Sequence, residues 1–381
     1  MEIDQLHYTF TQIDGYNKPF NFIFGAREAG KTTMFWLTKF YSKWKKDHKP
    51  CIYLVRNSVE ISEALITSLF DTIFNKFTSD NLKPSFKLSS FKDGICDVYV
   101  NELLFIRIVS LNISMRRIKL AVLKNISLCV MDEYIIDPKT NEKYLNNEAF
   151  KIKEAYTTWR RECEGVLKFY FLANPYSLYN PLFLEWKVDL SKLKIGEFYV
   201  GDIFVIHWCK LHPDLLSRLK EANPLYQEGS SYLNYALEGK AINDSNIPLG
   251  KLPSNFYLKW IFKVNEYYLG IFQNKLYDES AKYFIGEIKN PSTRRSVYCF
   301  NFEDMMNRTQ ILTRDDRIRM SRFKYALQMN EVIFESINDY YITMEVYKNL
   351  WCIQMLNYIL ILTFFQIVIL KLNQLMIIYM D

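Results

Sequence analysis

Two short groups of residues carry the chemistry that this sequence can perform. In the first, Gly25 is followed after four residues by Gly30-Lys31-Thr32, which is the G-x-x-x-x-G-K-[ST] pattern of a phosphate-binding loop. Backbone N–H groups of such a loop surround phosphate oxygens, the lysine reaches the outer phosphates and the threonine hydroxyl ligates Mg²⁺. The predicted nucleotide contacts in the loop are Gly25, Ala26, Arg27, Glu28, Ala29, Gly30, Lys31, Thr32 and Thr33.

The second group is Asp132-Glu133, which ends the mostly apolar segment Leu120 to Met131. An apolar strand that delivers Asp and then Glu is the Walker B arrangement, in which the Asp holds Mg²⁺ and the Glu polarises the attacking water. Apolar-Asp-Glu is common by itself, but here it lies downstream of a phosphate loop. We therefore predict that Thr32 and Asp132 hold the metal, and that Lys31 and Glu133 are catalytic.

The elements around these groups have the order that the chemistry requires. Phe20 to Phe24 is an apolar, strand-like run, and Met34 to Lys46 has the spacing of an amphipathic helix, so the loop lies between a strand and a helix. Cys51 to Val55 predicts a second buried strand that ends at Arg56, a further predicted nucleotide contact. The other predicted elements are a helix from Ser58 to Phe77, a β-hairpin or three-strand insertion from Ser85 to Leu111, a helix from Glu148 to Glu164 and a strand from Val166 to Ala173.

Two polar residues near strand ends have two interpretations each. Asn174 follows the strand Val166 to Ala173, where it can sense the γ-phosphate or the lytic water, or can simply begin the turn at Pro175. Tyr16 precedes the first strand, where its ring can stack on a nucleotide base or pack against the strand end. Both alternatives remain open from the sequence.

Composition indicates a globular protein without an obvious metal centre. The chain has 381 residues, 49% of them hydrophobic, and a formal charge of +6, which permits a polyanionic partner without requiring one. Its seven cysteines form no C-x-x-C pair, and the first residues lack an apolar signal region, so we expect a reducing cytoplasm. His207 and His212 lie near Cys209, but no carboxylate completes a metal site.

These motifs, taken together in their order, resemble the DNA-packaging (encapsidation) ATPases of small tailed phages with protein-primed linear genomes. That family belongs to the terminase large-subunit-like P-loop motors. The resemblance spans residues 10 to about 348 and rests on Asn21 to Arg27, Gly30 to Thr32, Ile52 to Arg56, Val130 to Ile135, Leu172 to Asn174, Asn180-Pro181, Tyr267 to Gly270 and Asn290 to Thr293.

The resemblance implies an α/β P-loop ATPase domain of the additional-strand, catalytic-glutamate type, followed by a smaller β-rich, vestigial RNase H-like domain. We place the ATPase domain at 1–205, a transition region at 206–250, the second domain at 251–348 and an apolar tail at 349–381. The equivalent domain of larger motors is a nuclease that needs clustered acids. The strand Tyr257 to Val264 offers none, so nuclease activity is not expected.

The implied function is ATP-driven translocation of double-stranded viral DNA into a preformed capsid, with ATP and Mg²⁺ as cofactors. The resemblance further implies a homo-oligomeric ring, five-fold in that family, that docks transiently on the portal (connector) of the procapsid in the host cytoplasm. A structural RNA or a small terminase subunit is a further partner to consider. The resemblance also implies an arginine that acts in trans, for which Arg160 is the first candidate and Arg161 the second. The alternative is that this arginine pair is simply a solvated helix end.

A basic helix in the second domain is the predicted contact with DNA. Thr313 and Asp316 have capping-box spacing, and six basic residues lie between Arg308 and Lys324; such a face can contact phosphates. A merely solvated basic helix is the alternative. The predicted DNA-binding residues are Arg314, Arg317, Arg319, Arg322 and Lys324.

Three questions stay open from the sequence. Trp351 to Leu370 carries no charge and is long enough to span a bilayer, so a membrane anchor, a buried terminal helix and a non-native extension are all alternatives. The rival functions are a helicase or translocase unconnected with capsids and a non-hydrolysing nucleotide-binding scaffold. Ring stoichiometry and step size are not encoded in any motif.

Overall fold

The strand that leads into the phosphate loop lies at the centre of a sheet. All six residues of β1 (Phe20–Gly25) are buried, as expected for a strand of a parallel sheet covered on both faces. It pairs in parallel with β7 (Lys168–Ala173) on one side and β9 (Phe204–Cys209) on the other. The computed structural model describes residues 6–64, 66–67, 86–89, 94–137, 142–145, 147–163, 165–188, 190, 193–226, 236–241, 244, 247–264, 267–276, 281–291, 296–299, 305, 309–344 and 346–347.

Within these residues, nine strands form the sheet in the order β3-β4-β5-β2-β6-β7-β1-β9-β8. The six strands from β5 to β9 in this order are parallel, whereas β3, β4 and β8 join antiparallel at the edges. The antiparallel strands β3 to β5 agree with the predicted three-strand insertion. The remaining bounds are β2 (Cys51–Val55), β3 (Phe86–Leu88), β4 (Ile95–Val100), β5 (Leu103–Ser110), β6 (Leu128–Asp132) and β8 (Phe198–Val200).

The position of β7 decides the subclass of the fold. Strand β7 lies between β1, which carries the phosphate loop, and β6, which ends at Asp132. An extra strand between these two elements is the additional-strand arrangement, and the α/β P-loop fold predicted from the sequence is therefore confirmed.

Helices cover both faces of the sheet. The helix after the phosphate loop begins as α2 (Lys31–Met34), passes through a π-helical stretch (Phe35–Tyr41) and ends as α3 (Ser42–Asp47). Successive side chains of a strand point to opposite faces, and accordingly Ile23 joins one hydrophobic cluster while Phe22 and Phe24 join the other. The other helices are α1 (Thr11–Gly15), α4 (Met115–Leu120), α5 (Glu148–Glu162), α6 (Pro181–Glu185) and α7 (Pro213–Ala222), with 3₁₀ turns at Arg27–Ala29, Ser58–Glu60 and Pro224–Tyr226.

The chain forms two compact units, Met1–Ser245 and Asn246–Asp381. Strand β9 and helix α7 belong to the first unit, although the sequence places most of their residues in a transition region. In the second unit the described strands have the order β14-β13-β10-β11-β12-β15. Their bounds are β10 (Phe256–Val264), β11 (Tyr267–Asn274), β12 (Tyr283–Glu287), β13 (Val297–Cys299), β14 (Thr309–Ile311) and β15 (Val332–Phe334), and helices α8 (Arg314–Arg319) and α9 (Ser321–Gln328) follow β14.

The second sheet has an RNase H-like topology. Strands β10, β11 and β12 form an antiparallel meander, and β13 and β14 continue in parallel from β10. Neither β10 nor β13 contains an Asp or Glu residue. The topology agrees with the predicted vestigial nuclease fold, and the lack of nuclease activity stays a prediction.

Three predictions fall wholly or mostly outside the described residues, namely the helix Ser58 to Phe77, the basic residue Arg308 and the apolar tail 349–381. Parts of three others also lie outside them: residues 85 and 90–93 of the predicted insertion, Glu164 at the end of the predicted helix, and residues 292–293 of the segment Asn290 to Thr293. In the part of the chain that is described, no helix combines the length and the apolar character that crossing a membrane requires.

Candidate nucleotide site

The backbone of the phosphate loop depends on two glycines. Gly30 has φ +75° and joins the 3₁₀ turn Arg27–Ala29 to helix α2, a left-handed conformation that side chains with a Cβ disfavour. Gly25 has φ +144°, and a Cβ there would collide with the carbonyl oxygen of Cys209 on β9. Both ends of the loop are thus fixed by sterics, with the loop at the carboxyl edge of β1.

Lys31 lies across this loop. Its side chain is 4% exposed, and its Nζ donates hydrogen bonds to the carbonyl oxygens of Gly25 at 3.0 Å and Ala26 at 2.7 Å. Burial lowers the pKa of the lysine, while the carboxylate of Asp132 counters part of that shift. The ammonium group is therefore already at the loop, where phosphate oxygens can replace the carbonyl partners.

The two predicted metal ligands are brought together by the fold. The hydroxyl of Thr32 hydrogen-bonds with the carboxylate of Asp132, and burial raises the pKa of Asp132 to about 6 in spite of that bond. A hydroxyl and a carboxylate are hard oxygen donors of the kind that Mg²⁺ prefers. Thr32 and Asp132 therefore fit the magnesium ion that the sequence predicts.

Glu133 has an unusual backbone for a residue with a side chain. Its φ is +54°, and its N–H donates to the Asp132 carboxylate at 3.0 Å. Non-glycine residues in this region are strained and persist where the surroundings hold them. The Glu133 side chain is exposed at the carboxyl edge of β6, so its carboxylate is open to a water molecule.

A buried ion pair supports the backbone around Glu133. Arg56 donates to Glu148 at 2.9 Å from Nε and at 3.1 Å from Nη2, and the two side chains are 6% and 3% exposed. Arg56 also donates to the carbonyl oxygen of Tyr134 at 3.1 Å, and it reaches that of Glu133 at 3.5 Å. A direct contact between Arg56 and the nucleotide, which the sequence predicts, stays a prediction.

Replacing Glu148 with alanine should strongly destabilise the first unit. Arg56 would remain buried without its carboxylate partner, and breaking a buried pair in this way costs about 3–5 kcal/mol. Urea denaturation followed by tryptophan fluorescence measures the loss. The control is Glu154→Ala on the same helix, because Glu154 forms an exposed pair with Lys119 that should contribute at most about 1 kcal/mol. Equal, small shifts in the two variants would contradict the assignment.

Asn174 reaches the same edge of the sheet. It directly follows β7, whose Leu172 pairs with Asp132 of β6 and accepts a hydrogen bond from the N–H of Tyr134 at 3.3 Å. The asparagine is half-buried and its carbonyl accepts from Tyr176 at 2.9 Å. Its place fits a sensor of the nucleotide, and its hydrogen bond to Tyr176 fits a turn, so the role remains a prediction.

The predicted arginine donors are not brought to the site of their own chain. Arg160 and Arg161 are exposed in the last turn of α5. Glu148 begins that helix beside Arg56, and the twelve residues to Arg160 correspond to about 18 Å of helix rise. Arg160 instead hydrogen-bonds with Tyr156, which lies one turn earlier.

Tyr16 also lies away from the phosphate loop along the chain. It precedes β1, whereas the loop follows that strand. Its ring is 41% exposed and packs against Phe198 of β8 with a centroid distance of 5.3 Å. This contact is the packing alternative that the sequence leaves open.

Sequence reasoning missed the residues that surround the loop from distant parts of the chain. The N–H of Tyr8 donates to the carbonyl oxygen of Ala29 at 2.9 Å, and His7 borders Gly30. Tyr226 donates to Glu28 at 3.2 Å, although its segment reads as part of a transition region. None of these residues belongs to a motif, so no local signal could have found them.

The two histidines of the rejected metal site have structural partners. His207 shares a hydrogen bond of 2.9 Å with the Tyr8 hydroxyl, and burial lowers the pKa of its imidazole to about 4. His212 caps the N-terminus of α7 by accepting from Asp214. In the described residues, no group of three or more His, Cys, Asp or Glu side chains is arranged to hold a metal ion.

The predicted DNA-binding residues lie on two short helices of the second unit. Thr313 and Asp316 form the predicted capping box at the start of α8, and α9 begins directly after Met320. Arg314, Arg319 and Arg322 are exposed, whereas Arg317 and Lys324 are half-buried. Their contact with DNA stays a prediction.

The fold and the site together define a class of protein. A phosphate loop after β1, a strand that ends at Asp132 and is followed by Glu133, and a strand between the two are the features of an additional-strand, catalytic-glutamate P-loop protein. The family model described as podovirus DNA encapsidation protein (Gp16) matches residues 3–351, and the chain belongs to this family. The predicted family is thus confirmed, and the chain is a phage DNA encapsidation protein that acts in the infected host cell.

Solved structures agree with the fold. The chain resembles a protein of the bacteriophage Phi-29 viral genome packaging motor assembly with a TM-score of 0.62 and 20% identity, over 91% of this chain and 100% of that one. It also resembles the Phi-28 gp11 DNA packaging motor with a TM-score of 0.55 and 18% identity, over 86% of this chain and 94% of that one. No curated protein matches the sequence.

Proposed function

We propose that this chain binds ATP with Mg²⁺, hydrolyses it, and uses the energy to move double-stranded viral DNA into a preformed capsid. The observation that carries the proposal is the convergence of Lys31, Thr32, Asp132 and Glu133 at one edge of the sheet. Lys31 would hold the outer phosphates, Thr32 and Asp132 would hold the metal, and Glu133 would orient the attacking water. When bound, Mg²⁺ supplies charge stabilisation at the phosphates.

The subunits would act as a homo-oligomeric ring on the capsid portal. The two similar structures are described as a packaging motor assembly and a packaging motor, which supports this arrangement. Arg160 is exposed in the last turn of α5, where a neighbouring subunit of such a ring would be able to use it. A structural RNA or a small terminase subunit would be additional partners of such a ring.

An ATPase assay with and without double-stranded DNA, run beside a strand-separation assay, tests the proposal. DNA-stimulated hydrolysis without strand separation is expected of a packaging motor. Strand separation would favour the helicase, and ATP binding without any hydrolysis would favour the scaffold.

The second unit should bind DNA without cutting it. The two strands that would carry the first acids of an RNase H-like centre have none, and a two-metal mechanism needs such acids. The exposed arginines of α8 and α9 can contact backbone phosphates, which gives affinity without sequence preference.

Incubating the full chain with plasmid and Mn²⁺ checks this expectation, with filter binding at increasing salt as the matching measurement of affinity. Changing Arg314, Arg319 and Arg322 together to glutamine should weaken binding and flatten its salt dependence. Nicking that disappears when an acid of the second unit is changed would show that the nuclease is intact.

A further inference from the structure

The segment that precedes the second unit packs on the phosphate loop. Ala236 and Leu237 are buried, and a Cβ on Gly239 would lie 2.8 Å from the backbone nitrogen of Ala26. The indole N–H of Trp208 donates to the carbonyl oxygen of Gly239 at 2.8 Å. The backbone at Gly239 is therefore held directly against the loop that would receive the phosphates.

Five residues later, Asp244 holds the loop that follows β7. Its carboxylate accepts from the hydroxyl of Ser177 at 3.1 Å and from the N–H of Leu178 at 2.6 Å. Ser177 is 2% exposed, and its Oγ accepts in turn from the N–H of Tyr179 at 3.0 Å. Hydrogen bonds to an ionised acceptor are stronger than neutral ones, so Asp244 has a large share in fixing this loop.

The same loop is tied to the backbone after the catalytic glutamate. The side-chain amide of Asn180 donates to the carbonyl oxygen of Tyr134 at 2.9 Å, and the hydroxyl of Tyr144 donates to that of Tyr179 at 3.2 Å. Tyr134 directly follows Glu133, and Asn174 begins the loop. Hydrogen bonds and the intervening peptide bonds of residues 177–180 and 133–134 thus connect Asp244 with the position of Glu133.

Asp244 lies two residues before Asn246, where the second unit begins. Resting on the proposed ATPase function, we infer that Asp244 is a positioning residue that couples the engagement of DNA by the second unit to ATP hydrolysis in the first. Because Asp244 is this close to the boundary along the chain, a displacement that begins in the second unit would act on its carboxylate before it acts on the rest of the first unit. Loss of its bonds to Ser177 and Leu178 would interrupt the path by which such a displacement reaches, through Asn180, the backbone beside Glu133, without removing any group that contacts ATP.

A coupling residue and a purely structural residue can be told apart by the hydrolysis rate that their loss affects. A purely structural residue contributes to stability, so its loss would lower the rates of ATP hydrolysis with and without DNA to the same extent. A coupling residue changes the effect of one ligand on the other while leaving each separate event intact.

The test compares Asp244→Ala and Asp244→Asn with Glu238→Gln. Glu238 lies on the same segment, but its carboxylate pairs with Lys240 at 2.6 Å. The control therefore removes a negative charge without removing a hydrogen bond to the loop after β7. For Asp244→Ala the ATP dissociation constant and the rate without DNA should stay within about twofold, while the stimulation by DNA should fall about five- to a hundredfold, the usual range of coupling between sites. In Asp244→Asn, which keeps one acceptor oxygen, the stimulation by DNA should be intermediate between that of Asp244→Ala and that of the wild type.

Ser177→Ala should reduce the stimulation in the same direction, and combining it with Asp244→Ala should add little, because both changes remove the hydrogen bond between Ser177 and Asp244. Unchanged stimulation in a folded Asp244→Ala protein, or an equal fall of both rates, would overturn the inference.

Hydrogen exchange gives a second test that does not depend on hydrolysis. Addition of DNA to the wild type should change the exchange of the amides of Leu178 and Tyr179, and this response should be absent in Asp244→Ala. If DNA leaves these amides unchanged in the wild type, the inference is wrong. If they respond but no ATP is hydrolysed, the proposed ATPase function fails instead.

Discussion

Changing Glu133 to glutamine should leave a protein that binds ATP but hydrolyses it roughly 10²- to 10⁴-fold more slowly, the range that a positioned general base contributes. The substitution keeps the size of the side chain and removes the carboxylate that polarises water. Glu133 is well placed for this effect, because its side chain is exposed at the carboxyl edge of β6 while its N–H is held by Asp132 at 3.0 Å. Single-turnover hydrolysis together with equilibrium binding of ATP separates the two steps.

Lys31→Ala should behave differently, because it removes a contact to the phosphates in both the ground state and the transition state. Both ATP affinity and turnover should fall. Lys43→Ala is the matched control, since Lys43 lies on the same continuous helix and contacts Ser127 at 3.0 Å. If Glu133→Gln hydrolyses ATP at the normal rate, the catalytic carboxylate lies elsewhere.

Removing Arg160 should abolish most DNA-stimulated hydrolysis, because an arginine finger contributes about 10³- to 10⁵-fold in rate. Phosphoryl transfer develops negative charge that Lys31 and the metal offset only in part. Arg160 lies about 18 Å of helix rise after Glu148, the residue at the start of α5 that contacts Arg56. A neighbouring subunit of the proposed ring would therefore have to supply this arginine.

Mixing two inactive proteins tests donation between subunits. Arg160→Ala subunits keep an intact phosphate loop, and Lys31→Ala subunits keep an intact Arg160. In an equimolar ring with one directional interface, about a quarter of all sites combine the two intact parts, so activity should return to a comparable fraction. Arg161→Ala in the same assay tests the second candidate, and full activity of the double variant Arg160→Ala, Arg161→Ala would exclude both.

The resemblance to the encapsidation ATPases was sufficient to predict the subclass of the fold. Asn174 follows an apolar run downstream of Asp132-Glu133, and in the structure that run is β7, between β1 and β6. The strand itself was predicted from its apolar run, whereas its place between β1 and β6 was implied by the resemblance. The residues that bear the motifs then meet at the carboxyl edge of the sheet, as expected for this architecture.

The contacts between distant segments could not be predicted in this way. Arg56 and Glu148 are separated by 92 residues, and Arg56 reads as a nucleotide contact because it ends a strand beside the site. The tertiary structure pairs it with the carboxylate of Glu148, which belongs to no motif. A buried arginine requires a partner for its charge, but the sequence does not show which of the 42 acidic residues provides it.

The sequence by itself determined the phosphate loop and the Asp132-Glu133 pair, because each depends on residues that are close neighbours in the chain, and it determined the family, because the motifs occur in a specific order along the chain. Only the tertiary structure decided that Thr32 bonds Asp132, that Tyr8 and Gly239 flank the loop, that Tyr16 packs on Phe198, and that Asp244 holds the loop after β7. The physical reason is that such contacts follow from how the whole core packs. Local spacing fixes which groups can react, whereas packing fixes what surrounds them.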